Sequence, residues 1–114
     1  MLKKELRIRK QKEFDNIFKK GVYYSEKFLG LKVVENDLKV ARFGFIASNK
    51  ISKKAVERNR IKRLLRETVR LKYSKIKSGF DGIFMFRGKD VKKSFDEVDT
   101  VVENLLKKSG LLLK

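Results

Sequence analysis

The sequence predicts an α+β fold in a single domain, a two-layer sandwich of helices on a sheet. Three observations carry this. β-prone runs bounded by turn residues fill 22–48 and return at 80–87. Apolar residues recur at helical spacing near 10–20, 53–72 and 94–108. The chain's 114 residues suffice for one modest core, and helices packed on one face of a sheet bury such a pattern economically.

Residues 1–10 carry five basic side chains and one acid, with Leu2, Leu6 and Ile8 too sparse to define a face. They read as an extended or loosely ordered basic arm. The first helix is expected from Lys10 to Lys20, with Phe14, Ile17 and Phe18 as its apolar stripe. Lys19 and Lys20 suit the negative end of its dipole, and Gly21 stops it as a C′ residue needing positive φ would. Val22–Tyr24 and Phe28–Val34 read as strands, and Glu35-Asn36-Asp37 as a turn. A third strand is expected over Leu38–Ser48, with Phe43, Phe45 and Ala47 on one face. Gly44 inside it suggests a bulge or the close approach of another backbone.

The stretch Lys53–Lys72 organises the rest. Ile61, Leu64, Leu65, Thr68 and Val69 form one helical face, while Asn59, Lys62, Arg63, Arg66 and Arg70 gather on the other and Arg58 and Arg60 flank the stripe. Ser52 is the expected N-cap. Ten Lys or Arg stand against two Glu over Lys50–Lys72. Solvated helix faces usually mix signs, whereas like charges at 62, 66 and 70 repel by a few tenths of a kcal/mol per pair. The counter-charge should therefore come from outside the chain, and phosphate matches the planar fork of Arg. Phe80–Arg87 reads as the fourth strand after Ser78-Gly79. The last helix has a Ser94/Glu97 capping box, a stripe of Val98, Val101, Val102, Leu105 and Leu106, and Gly110 as its stop. The second-to-last connection, strand–basic helix–strand, is a crossover that general rules expect to be right-handed if parallel.

A net charge of +17 and a pI near 10.2 point to nucleic acid or an anionic membrane. No apolar run approaches a spanning helix or a signal peptide, and the basic helix lacks the Trp or Phe of an interfacial anchor, so no membrane partner is expected. With no Cys and no His, thiolate and imidazole metal sites, Cys and Ser–His nucleophiles and His acid/base pairs are excluded. Any catalysis should draw its reacting groups from another molecule. Cysteine absence suits a reducing cytoplasm. An exposed aromatic beside Lys, as at Phe14 and Phe18, is what single-stranded RNA stacks on, while the pattern alone favours both rings as packing residues of a short helix.

At Arg58-Asn59-Arg60, running on into Ile61-Lys62-Arg63-Leu64-Leu65-Arg66-Glu67, the sequence closely resembles the bacterial ribonuclease P protein component. Glu13 to Gly21 is similar to that family's N-terminal helix, Arg42 to Ser48 to the strand before the signature, and Gly79 to Ile83 to the strand after it. The resemblance spans roughly Leu6 to Leu106. It implies the order αβββαβα with a left-handed crossover around the basic helix, against the general rule. It also implies a single RNA-binding domain over 1–114, the protein subunit of a cytoplasmic ribonucleoprotein that removes the 5′ leader of precursor tRNA. Hydrolysis would be performed by the catalytic RNA, which holds the Mg²⁺. Residue by residue, Arg58, Asn59, Arg60, Lys62 and Arg63 would face the catalytic RNA, and Phe14, Phe18, Lys50 and Arg66 would line the leader cleft. Two positions depart from the family pattern. Asn49 precedes Lys50 where consecutive Lys residues are common, and Leu31 corresponds to a cleft aromatic. The alternative is a ribosomal or other structural RNA-binding protein, which shares the size, charge and lack of active-site residues. A protein-only nuclease lacks visible machinery.

Overall fold

The computed structural model describes residues 2–48 and 50–113. Its elements are α1 (Gln11–Lys20), β1 (Val22–Glu26), β2 (Leu29–Glu35), β3 (Arg42–Ile46), α2 (Ala55–Lys72), β4 (Phe80–Phe86) and α3 (Phe95–Lys108), with short 3₁₀ turns at Lys4–Leu6 and Tyr73–Lys75. The order is the expected αβββαβα. The four strands form one sheet in the order β1-β2-β4-β3, antiparallel except between β3 and β4. β4 is thus inserted between β2 and β3, and α2 is the connection that lets β3 and β4 run parallel.

Alternation along the strands sorts side chains onto two faces. Leu29, Leu31 and Val33 of β2, Phe43 and Phe45 of β3, and Phe84 and Phe86 of β4 meet Ile61, Leu65 and Val69 of α2 and the whole expected stripe of α3. The two-layer arrangement holds for α2 and α3. α1 docks on the opposite face, where Ile17 and Phe14 pack with Ile8, Val34, Ile46, Ile83 and Met85. The reason is local: that face still offers an apolar strip, which only a short helix can cover.

Four local expectations are corrected. The basic arm is packed rather than loose: Leu2 and Ile8 are buried, and Arg7 forms a parallel bridge with Phe43 of β3. Three widely spaced apolar residues suffice because the arm lies along an open strand edge. Gly21 follows α1 in extended backbone (φ −75°), not at positive φ. Its selection is steric, since a Cβ there would lie 2.6 Å from the Ile17 carbonyl. The third strand is only Arg42–Ile46. Asn36 folds the preceding segment into a turn by accepting from Leu38 N–H at 2.9 Å and donating to Val40 O at 3.3 Å. Ser52 is not the N-cap of α2; that position is Lys54. Ser52 Oγ instead accepts from Lys54 N–H at 3.1 Å and donates to Glu57 at 2.5 Å, which organises the approach to the helix. Gly44 does mark a close approach, but by a side chain: a Cβ would stand 2.7 Å from the Phe14 ring. The capping box of α3 forms as expected, with Glu97 N–H donating to Ser94 Oγ at 3.2 Å, and Gly110 has the positive φ of a helix stop (75°). In return Ser94 N–H donates to Glu97 Oε1 at 3.2 Å, and this bond, with the Ser94 hydroxyl, holds the Glu97 carboxyl below its ordinary range.

Arg42 joins three elements. Its guanidinium grips Asp81 of β4 through two hydrogen bonds of 3.0 and 2.7 Å and Glu13 of α1 through one of 2.7 Å. Asn36 adds a 2.7 Å donor to Asp81, which is buried. These contacts push the Arg42 pKa above its ordinary value, with the Asp81 hydrogen bonds the main cause. Asp81→Ala strips a half-buried guanidinium of its principal partner and should destabilise the fold by about 3 kcal/mol in urea denaturation. Gly44→Ala should displace the Phe14 ring and cost about 1–3 kcal/mol, read by the same measurement.

Candidate nucleic-acid interface

α2 turns its apolar stripe to the sheet, so its geometry dictates which cations face out. Ile61, Leu65, Thr68 and Val69 are fully buried, and the Thr68 hydroxyl is satisfied by Leu65 O at 2.8 Å. On the outer side a shallow groove is lined by Val56, Asn59, Lys62, Arg63 and Arg66. Asn59, Lys62 and Arg63 of the expected catalytic-RNA set thus share one surface with Arg66, which was expected in the leader cleft. Among the described residues no carboxylate lines this groove.

Arg58 and Arg60 are placed differently. Arg58 is half-buried and donates to Ser52 O at 2.8 Å, fixing the turn before the helix. Arg60 is exposed, and its two terminal nitrogens donate to Val91 O at 3.1 Å and Lys93 O at 2.9 Å. It thereby ties the β4–α3 connection, with Lys89, Lys92 and Lys93, to α2. Arg70 is not part of the free positive face, because it pairs with Glu67 at 2.5–3.1 Å. The like-charge row read at 62, 66 and 70 is therefore broken at its last member.

On α1, Phe14 and Phe18 lie one turn apart but are not equivalent. Phe14 is half-buried in the second core against Gly44, whereas Phe18 is 38% exposed. Lys32 of β2 donates to Phe18 O and holds its ammonium 5.9 Å from the Phe18 ring centroid. Lys50 is exposed on the β3–α2 connection. Asn49 lies outside the described residues. Leu31 is fully buried in the core facing α2 and α3, so it cannot be the counterpart of a cleft residue. Its neighbour Lys32 occupies the α1 side of the strand, because successive residues alternate faces.

Sequence reasoning missed Lys32 and Arg7. The first was obscured by a one-residue shift in register, the second by the assumption that the arm lacked a fixed partner. Arg66 lies with its guanidinium 5.9 Å from the Phe45 ring centroid. Its pKa is lowered, chiefly by burial and then by the charges of Arg7 and Arg63. Three guanidinium groups therefore share one region.

The family model described as Ribonuclease P matches residues 2–110 of the chain. A ribonuclease P protein component from Clostridium botulinum (strain Loch Maree / Type A3) is 38% identical over 109 residues, covering 95% of this chain and 97% of that protein. One from Clostridium kluyveri is 42% identical over 107 residues, covering 92% and 95%. Among solved structures, a Staphylococcus aureus RNase P protein superposes with a TM-score of 0.85 at 28% identity, covering 94% of this chain and 97% of that one. The RNase P protein from Thermotoga maritima gives 0.81 at 30% identity, covering 90% and 96%. Sequence and architecture agree over nearly the whole chain, which belongs to the ribonuclease P protein family.

Proposed function

We propose that this chain is the RNA-binding protein subunit of ribonuclease P. It binds the catalytic RNA and the single-stranded 5′ leader of precursor tRNA, and assists a cleavage carried out by the RNA. The observation that carries the reading is the carboxylate-free groove of Asn59, Lys62, Arg63 and Arg66 on a helix whose other side is locked in the core. Cations held without internal partners are ready to exchange small counterions for phosphates, the main source of affinity for a nucleic-acid backbone.

The division of labour follows from what each group can do. Lys62, Arg63 and Asn59 contact backbone of the catalytic RNA, while Arg58 and Arg60 shape the surface through their carbonyl contacts and leave remaining donors for RNA. Phe18, with Lys32 at its edge, offers a ring and a cation to an unstacked leader base. Phe14, packed one turn away against Gly44, is the second ring assigned to the leader, and Lys50 and Arg66 attract its backbone. Among the described residues no group of three or more acidic side chains is placed to hold a metal, and several carboxylates are engaged in ion pairs. The described residues do not fit an Mg²⁺ site, and in this reading the metal belongs to the RNA. Among the described residues no helix is long and apolar enough to cross a membrane. A role in tRNA maturation assigns the particle to the cytoplasm.

Reconstitution with the cognate catalytic RNA tests this. The chain alone should leave precursor tRNA uncut, yet promote cleavage by that RNA at low Mg²⁺; a ribosomal protein would do neither. Phe18→Ala should weaken substrates that carry a leader by about 1–3 kcal/mol and spare leaderless ones. Arg60→Ala should weaken catalytic-RNA binding instead. Equal losses for both substrate types would remove Phe18 from the leader site. If roughly six phosphates are neutralised, affinity should drop about 10³-fold between 50 and 200 mM salt, and a flat response would remove the electrostatic argument.

A further inference from the structure

The N-terminal arm brings a second cation against α2. Arg7 bridges β3 opposite Phe43, and Ile8 N–H donates to Phe43 O at 2.8 Å, so the arm's backbone is fixed. Ile8 enters the core on the α1 side, and alternation sends Arg7 to the other side, towards α2. Arg66 reaches the same side from α2, over Phe45. Phe43 and Phe45 are next-but-one residues on the same strand face, so the two arginines approach that face at neighbouring positions.

Both Arg7 Nε and Arg66 Nε are buried, and neither has a hydrogen-bond partner among the described residues. A buried donor without an acceptor costs free energy, and two adjacent like charges add to that cost. The lowered Arg66 pKa, caused by burial, Arg7 and Arg63, reports the same crowding. Among the described residues no carboxylate forms an ion pair with either arginine. Glu5 and Glu13 line the neighbouring groove with Arg7, but Glu13 is engaged by Arg42. Both arginines remain partly exposed, so a ligand can reach them.

We propose that Arg7 and Arg66 form a clamp for one backbone phosphate of RNA, which makes the packed arm part of the binding surface. The clamp rests on the RNA-binding function proposed above and adds Arg7 to it. The phosphate meets the solvent-facing part of each guanidinium and neutralises the repulsion between the two. Since the contact is to backbone, it is indifferent to base sequence.

The test uses the full chain with Arg7→Ala and Arg7→Lys, alone and reconstituted with its catalytic RNA. In the free protein, inorganic phosphate added at constant ionic strength should move the Nε–Hε NMR signals of Arg7 and Arg66 together. Arg7→Ala should abolish the Arg66 response without lowering Tm, because it removes a repelling charge. In binding assays Arg7→Ala should weaken RNA about five- to tenfold, equally for leaders of different sequence, and reduce the salt slope by about one. Arg7→Lys should recover the slope but only part of the affinity. The arm of the assay in which the slope falls, catalytic RNA or precursor tRNA, identifies the strand that supplies the phosphate. Signals that ignore phosphate, or an unchanged slope, overturn the clamp. So does a phosphate response with intact RNA affinity, which would assign the pair to free phosphate. If Arg7→Ala is silent while Arg60→Ala and Phe18→Ala lose RNA, the clamp alone is wrong; if all three are silent, the RNA-binding function fails with it.

Discussion

The grip of Arg42 on Asp81 and Glu13 is the interaction on which the remaining geometry depends. It locks an edge strand, a central strand and the first helix with one side chain, at a point where the sheet has little apolar area to spare. A planar fork suits this because it can bond two carboxylates in different directions at once, which an ammonium on a flexible stem does less well. With α1 so fixed, Phe14 can pack closely against Gly44 and Phe18 is left at the surface.

The same logic governs the distribution of charge. A chain with 31 basic and 14 acidic side chains must place its few carboxylates with care. Many of those described are committed to the frame: Glu26 to Lys108, Asp99 to Lys72, Glu67 to Arg70, Glu103 to Lys107, and Glu13 and Asp81 to Arg42. Glu26 is held below its ordinary pKa chiefly by its hydrogen bond from Lys108, and Glu67 by that from Arg70. The outer groove of α2 is left with cations, Asn59 and Val56. The exposed pairs add little stability individually. Their larger effect is to keep acids away from the surface that has to attract an anion.

Much of this was legible in the residues. The α3 boundaries followed from Ser94, Glu97 and Gly110, since capping is decided within a few residues. The stripe of α2 followed from its period, and the signature Arg58-Asn59-Arg60 carried the family. What escaped were features created by distant partners. Nothing local tells that Arg60 will find Val91 and Lys93 carbonyls or that Arg7 will be fixed by Phe43, whereas the Glu67–Arg70 pair is an i,i+3 contact that spacing alone offered. Gly44 announced a close neighbour but not its identity. The cleft position of β2 was read as Leu31 rather than Lys32, and in a strand one position exchanges core for surface. The local signals set the elements, while long-range contacts decided which cations stayed free.

The parallel pairing of β3 with β4 has a consequence for how the molecule comes into being. β3 cannot enter the sheet until 80–86 have been synthesised and inserted beside β2. The β1–β2 hairpin can form on the nascent chain, whereas β3 and the amphipathic helix after it must wait for a strand some 35 residues downstream. In that interval the apolar underside of α2 is uncovered and its basic side is already complete. A protein destined for a polyanion therefore emerges from the ribosome, itself a polyanion, with its most adhesive helix before its last structural strand.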